Sequence, residues 1–240
     1  MTRILAWIAA GGLGGGLILL VLAYSLGGRE LIHQFDHRGA FTLQACEQGG
    51  GTSERHLTWP GGDAIDVALP ATVHFRGGDD GDIVVKGSPD LIANVGIDGR
   101  RLRLKCRWVA SNRDIEIDLP GSYRHVGILG SGQVTMDNLN QRRLELHIAG
   151  SGNVKAKGTV DRLHLTLAGS ANARVENLAV KDLRVEILGS GNVDAAASNE
   201  ADVKIAGSGD VRLYGKPARL KSHIAGSGRI SQLDAPEVKQ

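Results

Sequence analysis

From residue 64 onward, apolar and polar residues alternate two apart in short runs broken by glycine, which predicts strands with one buried and one exposed face. AIDVALP, TVHFR, DIVVKG, RLRLKC and DIEIDLP come first, separated by the turns PGG, RGGDDGD, KGSPD and IDGR. The alternation then becomes periodic. Gly-Ser-Gly or a close variant begins at Gly130, Gly150, Gly169, Gly189, Gly207 and Gly226, in steps of 20, 19, 20, 18 and 19 residues. Six, four and two positions before the corner stand Leu144, Leu146 and Ile148, then Leu163, Leu165 and Leu167, then Leu183, Val185 and Ile187. Four and six positions after it stand Val134 and Met136, Val154 and Ala156, Ala173 and Val175, Val193 and Ala195, and Val211 and Leu213. Leu139, Val160 and Leu178 mark a third, shorter side. A unit this short cannot bury its own apolar side, but stacking at ~4.8 Å per coil closes a continuous core. The expected fold is therefore all-β: a single-stranded parallel β-helix of about 19-residue coils, right-handed by the bias of parallel crossovers. The earlier strands read as irregular first turns of the same stack, making a body of ~9 coils, roughly 40 Å long. No apolar period of 3.6 residues follows Arg29, so almost no helix is expected there.

The corners carry their own chemistry. Gly130, Gly150, Gly169, Gly189, Gly207 and Gly226 would stack at one level in a positive-φ bend that glycine adopts at little steric cost. Ser131, Ser151, Ser170, Ser190, Ser208 and Ser227 would then form a column of hydroxyls satisfying one another, with Asn153, Asn172 and Asn192 as an amide ladder two residues on. Ala171, Ser222 and Arg229 depart from the pattern, and the last coil reads as a fraying cap.

The amino end differs in kind. Residues 4–26 carry no charge and are preceded by Arg3 and followed by Arg29 and Glu30. That length spans ~30 Å of hydrocarbon as a helix. It reads as a signal anchor over residues 1–28, with cleavage after Ser25 as the alternative; in both cases the remainder is exported. The positive amino end stays in the cytoplasm, so the expected location is the bacterial inner membrane, single-pass, with the body in the periplasm; after cleavage it would be secreted or surface-exposed. Gly11, Gly12, Gly15 and Gly16 form two overlapping Gly-x-x-x-Gly pairs, which would let two such helices pack as a homodimer; a glycine-rich span without a partner is the plainer reading. Residues 29–62 read as a juxtamembrane linker with little regular structure, and residues 63–235 as the repeat domain.

Composition narrows the partners. Lys and Arg total 28 against 26 for Asp and Glu, and the net charge of +2 argues against nucleic acid. Aromatics make up 4% of the chain and glycines number 34, so the core is thin and aliphatic. The two cysteines, Cys46 and Cys106, would be free to pair as a disulfide after export, or stand as unrelated buried thiols. They lack the count and spacing of a structural zinc site.

The search for chemistry yields little. Outward positions five before the corner hold Glu145, His164, Arg184, Asp202 and Lys221; those three before hold His147, Thr166, Glu186, Lys204 and His223. Signs alternate, so Glu145 is expected to meet His164, Arg184 to meet Asp202, and Glu186 to meet Lys204, as on a solvated mixed-charge face. His147, His164 and His223 lie on different coils and read as surface histidines rather than metal ligands, and the serine column has no histidine to act as its base. Asp79, Asp80 and Asp82 form the densest acidic patch, which reads as a turn before it reads as a weak cation site. Catalytic, cofactor and metal residues are therefore expected to be absent.

With IAGSGNV, LAGSANA, ILGSGNV, IAGSGDV and IAGSGRI in view, preceded by VALPATVHF and DIEIDLPG, the chain resembles the head GIN domain family of auto-transporter adhesins over about residues 61–233. The resemblance implies a right-handed parallel β-helix in a bacterial envelope protein. No outer-membrane barrel is recognisable after the repeats. The expected function is a non-enzymatic, membrane-anchored binding or scaffolding body whose partner is an envelope glycan or protein. The alternatives are a polysaccharide-active β-helix enzyme and an envelope-stress accessory protein acting through its membrane span.

Overall fold

The computed structural model of the chain describes residues 45–46, 51–76, 81–106 and 115–234. The apolar stretch 4–26 with its glycine pairs lies outside the described residues, as do Asp79 and Asp80. Among the described residues no helix is long and apolar enough to cross a membrane.

The first half of the described chain runs through β1 (Ser53–Leu57), β2 (Ala64–Ala68), β3 (Thr72–Arg76), β4 (Ile83–Gly87), a five-residue helix α1 (Pro89–Ala93), β5 (Val95–Asp98), β6 (Arg101–Leu104) and β7 (Glu116–Pro120). The repeats then supply β8 (His125–Gly130), β9 (Gln133–Gly150), β10 (Asn153–Gly169), β11 (Asn172–Gly189), β12 (Asn192–Ala196), β13 (Glu200–Gly207), β14 (Asp210–Tyr214), β15 (Arg219–Gly226) and β16 (Arg229–Leu233).

The repeats wind as an all-β solenoid of about five turns. Each long strand bends midway, so its first half lies on one flank and its second half on another. Strand β10 pairs parallel with β9 and β11 through both halves, aligning Gly169 with Gly150 and Gly189. Further down, β13 and β15 continue the flank before the corner, and β12, β14 and β16 the flank after it. The aliphatic residues face inward: Leu146, Leu165, Val185 and Val203 are each fully buried. At ~25 cal/mol per Å² of apolar surface, this continuous column is the main stabilising term.

At the corners, Gly130, Gly150, Gly169, Gly189, Gly207 and Gly226 all have positive φ, between +114° and +139°. A Cβ on Gly207 would overlap the carbonyl oxygen of Gly189, so glycine is required by contact as well as by conformation. That oxygen accepts from the Ser208 N–H at 2.9 Å, and the same bond recurs at Ser151, Ser170, Ser190 and Ser227. The serine hydroxyls do not bond one another among the described residues. The corner column is closed by backbone, because the serine side chains stand in solvent. The amide ladder does form: Asn172 donates to Asn153 at 3.2 Å and Asn192 to Asn172 at 3.1 Å.

The early strands differ from the expected first turns, and the expected ~9 coils give way to about five regular ones. Strands β2 and β3 lie directly beneath β8 and β9, all parallel. Strands β6 and β7, later in sequence, lie one level further out, beneath β2 and β3. Stack order and chain order are thus inverted there. Beyond them the pairing turns antiparallel: β4 on β7, β1 on β4, and β5 on β6. Strand β1 falls inside the stretch that reads from sequence as linker. Its Arg55 donates to the carbonyls of Ile92, Ala93 and Val95 at 2.9–3.0 Å, satisfying orphan groups at the carboxyl end of α1. Leu91 and Ile92 of α1 are buried, so the helix closes the end of the core. A disulfide joins Cys46 to Cys106 with an S–S distance of 1.98 Å.

Candidate functional site

On the flank before the corners, the outward side chains form columns at the strand spacing. One column runs Arg143, Arg162, Asp182, Glu200 and the next runs His164, Arg184, Asp202, as the register dictates. Between them lies an open groove of about 310 Å³, floored by Leu163 and Leu183. Its upper end is basic, with Arg143 and Arg162, and its lower end acidic, with Asp182, Glu200 and Asp202.

Of the three expected cross-coil pairs, one forms. Glu186 meets Lys204 at 3.8 Å, but it is held more closely by Arg184 of its own strand, at 2.8 Å and 3.0 Å. Residues two apart share a face, and the guanidinium fork reaches Glu186 without crossing to the next coil, so Arg184 does not pair with Asp202. Glu145 is taken by Arg143 and by His125 at 2.8 Å, which leaves His164 without an ion pair. Glu200 binds Lys221 at 2.7 Å and Arg219 at 3.0 Å, and Asp182 accepts from Asn199 at 2.6 Å. Among the described residues Arg162 and Asp202 have no ion-pair partner, and they stand at opposite ends of the groove.

Charge follows these contacts. Hydrogen bonding from Arg184 holds the Glu186 carboxyl below the usual carboxylate range, and bonds from Lys221 and Arg219 do the same for Glu200. Burial lowers the His164 pKa, with Glu186 opposing the shift and Arg184 and His147 adding to it. Its Nε2 is enclosed and has no hydrogen-bond partner. The His164 imidazole and the Glu186 carboxyl beside it are thus both shifted away from neutrality, the direction opposite to that which favours general acid–base work. Of the three histidines, His147 and His164 approach, with ring centroids 6.1 Å apart, while His223 lies on β15, three coils beyond His164. Among the described residues no group of three or more His, Cys, Asp or Glu could hold a metal ion. What the groove offers is a fixed polar surface, basic at one end and acidic at the other.

Three residues that sequence reading passed over also come together. Trp59, Phe75 and Tyr123 lie in separate segments, yet their rings meet edge to face, Trp59 to Tyr123 at 5.9 Å and Phe75 to Tyr123 at 5.7 Å. Their scarcity was the available signal; nothing in their spacing joins them.

Residues 109–217 match the family described as "Putative auto-transporter adhesin, head GIN domain". No curated protein matches the chain in sequence. Two crystal structures share the fold. A "putative adhesin" from Bacteroides fragilis NCTC 9343 aligns with a TM-score of 0.61 at 20% identity, covering 79% of this chain and 99% of the other. A "putative lipid binding protein" from Parabacteroides distasonis ATCC 8503 aligns with a TM-score of 0.51 at 18% identity, covering 79% and 100%. The resemblance carried by the Gly-Ser-Gly corners therefore holds: the stretch that matches the head GIN domain model, residues 109–217, takes in five of the six corners.

Proposed function

We propose that the chain is a non-enzymatic, adhesin-like binding body of the bacterial cell envelope, held at the inner membrane by residues 4–26 with its right-handed solenoid in the periplasm. The family and the solved relatives called adhesins support the general role. The observation that carries the binding role is the groove: Arg162 and Asp202 face solvent across a rigid sheet without ion-pair partners among the described residues. The sheet fixes where the two side chains emerge, so a partner of complementary sign has only their rotamers left to order. An envelope polymer or protein bearing both charges fits that order.

Retention of the full-length chain on immobilised envelope extract tests the reading. Arg162→Glu and Asp202→Lys are each expected to weaken retention, and more so at low salt, since exposed charges are screened as ionic strength rises. Unchanged retention in both variants argues against the groove. Deleting residues 1–28 is expected to move the protein from the membrane to the soluble fraction; a protein that stays with the membrane removes the anchor from the proposal.

A further inference from the structure

Near the closed end of the solenoid a second concavity, of about 210 Å³, is lined by Trp59, Gly61, Gly62, Pro120, Gly121 and Tyr123. We infer that it is a carbohydrate subsite that takes one neutral pyranose ring. The inference stands apart from the charged groove and would survive that groove's failure.

Four features point to a sugar. The described residues include four of the chain's Trp, Tyr and Phe side chains; two of them, Trp59 and Tyr123, line the concavity, and a third, Phe75, packs on Tyr123. Trp59 is only partly buried where it lines the concavity, which leaves aromatic surface on which the C–H face of a pyranose packs, and Tyr123 braces it edge to face from behind. Polar side chains are few, Ser122 and the tip of Tyr123 beside the indole, and the Trp59 Nε1 is enclosed without a partner. An acyl chain would leave the indole N–H unpaired, at a cost of about 1–3 kcal/mol for a buried polar group, whereas sugar hydroxyls both donate and accept. Burial pushes the Tyr123 phenol up to about 12, so it stays protonated and serves as donor and acceptor across the physiological range.

Charge and shape select further. None of the lining residues is charged, which disfavours uronic acids and phosphorylated sugars, for an anion here would be desolvated without a partner. The mouth is edged by Gly61, Gly62 and Gly121, all at positive φ, and a Cβ at Gly61 or Gly62 would meet no atom within 4 Å. The backbone thus lies bare at the entrance, and its amides and carbonyls are open to ring hydroxyls. The volume suits one ring and excludes a folded peptide.

The full-length chain in detergent, titrated with chitotetraose and with cellotetraose, tests this. Saturation-transfer NMR should show contact to the C–H protons of one sugar ring, and the Trp59 indole N–H resonance should move as either probe is added. Tyr123→Phe keeps the ring packing and removes the hydroxyl; it is expected to weaken binding about tenfold, the equivalent of one hydrogen bond. Trp59→Leu should abolish it, and Arg162→Ala should leave it unchanged. Absence of saturation transfer from both probes overturns the subsite, as does an indole resonance that stays in place, or equal affinity in wild type and Tyr123→Phe. Loss of binding in Arg162→Ala would also overturn it, by placing the sugar in the groove.

Discussion

The two ends of the solenoid meet solvent in opposite ways. At the amino end the parallel stack is finished by strands of another polarity, β4 and β5 lying antiparallel on β7 and β6, with α1 plugging the core and Arg55 holding the helix carbonyls. At the carboxyl end nothing comparable covers the last coil among the described residues: every residue of β15 is exposed, and Leu220 and Ile224 are each 41% accessible. Their counterparts one coil up, Ala201 and Ile205, are 0% and 1% accessible. The comparison teaches that a repeat specifies its own interior but not its termination. One end is closed by residues outside the repeat. The other is guarded by charge, with Arg219, Lys221 and Arg229 along the free edges, where cations discourage strand addition.

The largest effect that tests this contrast is a truncation placed in each region. Leu146→Ala, in a fully buried coil, is expected to cost about 2–5 kcal/mol by chemical denaturation, against about 1 kcal/mol or less for Leu220→Ala at the open end. Equal losses would mean that the last coil is covered in solution. Next come the corners. Each Cβ would point toward the preceding coil, so Gly207→Val meets the Gly189 carbonyl, while at Gly130 nothing lies within 4 Å. Gly207→Val should combine about 1 kcal/mol of backbone conformation with about 1–3 kcal/mol of overpacking, and Gly130→Val should show the first alone. A similar fall in melting temperature for both would break the stacked-corner account.

The disulfide sharpens the closed end. Replacing Cys46 and Cys106 by serine is expected to cost about 2–4 kcal/mol, and hydrogen exchange should quicken in β5 and β6 while β13 keeps its protection. Uniform quickening would show the cap and the coils to be one cooperative unit. The smallest effect lies midway along the stack, at His164. Its folded pKa is lowered below 6.5, so as pH falls through that value the unfolded chain takes up a proton that the folded chain refuses. Stability should therefore decline as pH falls through the free imidazole's value of about 6.5, and His164→Gln should flatten that part of the curve; an unaltered slope would assign the decline elsewhere.

The sequence-to-structure relation divides along the same line. Where each coil repeats the last, the inward rows and the corner glycines could be read directly, since Leu146, Leu165 and Val185 occupy equivalent places and see equivalent neighbours. Between residues 53 and 120 the alternation named strands but not their order. A period of two says which face is buried; it is silent on whether β6 lies beside β2 or beyond it, or whether β4 runs parallel. The groove was half legible. Its columns followed from the spacing, but Arg184 chose a partner on its own strand, a contest between two carboxylates that the spacing alone does not decide. The aromatic pocket was not legible at all, because Trp59 and Tyr123 meet only through the inverted stacking of the early strands.

One irregularity carries a lesson about growth. Between Ala156 and Gly158 the pairing of β10 with β9 slips, and a slip recurs against β11 between Lys155 and Lys157. Such a bulge takes up a residue more or less and returns the chain to phase before the next bend, which is how steps of 19 and 20 residues share one column of glycines. A gene duplication or excision that spans one such step would leave every remaining rung in frame, so lineages can lengthen or shorten this rod in whole increments without redesigning what lies above or below.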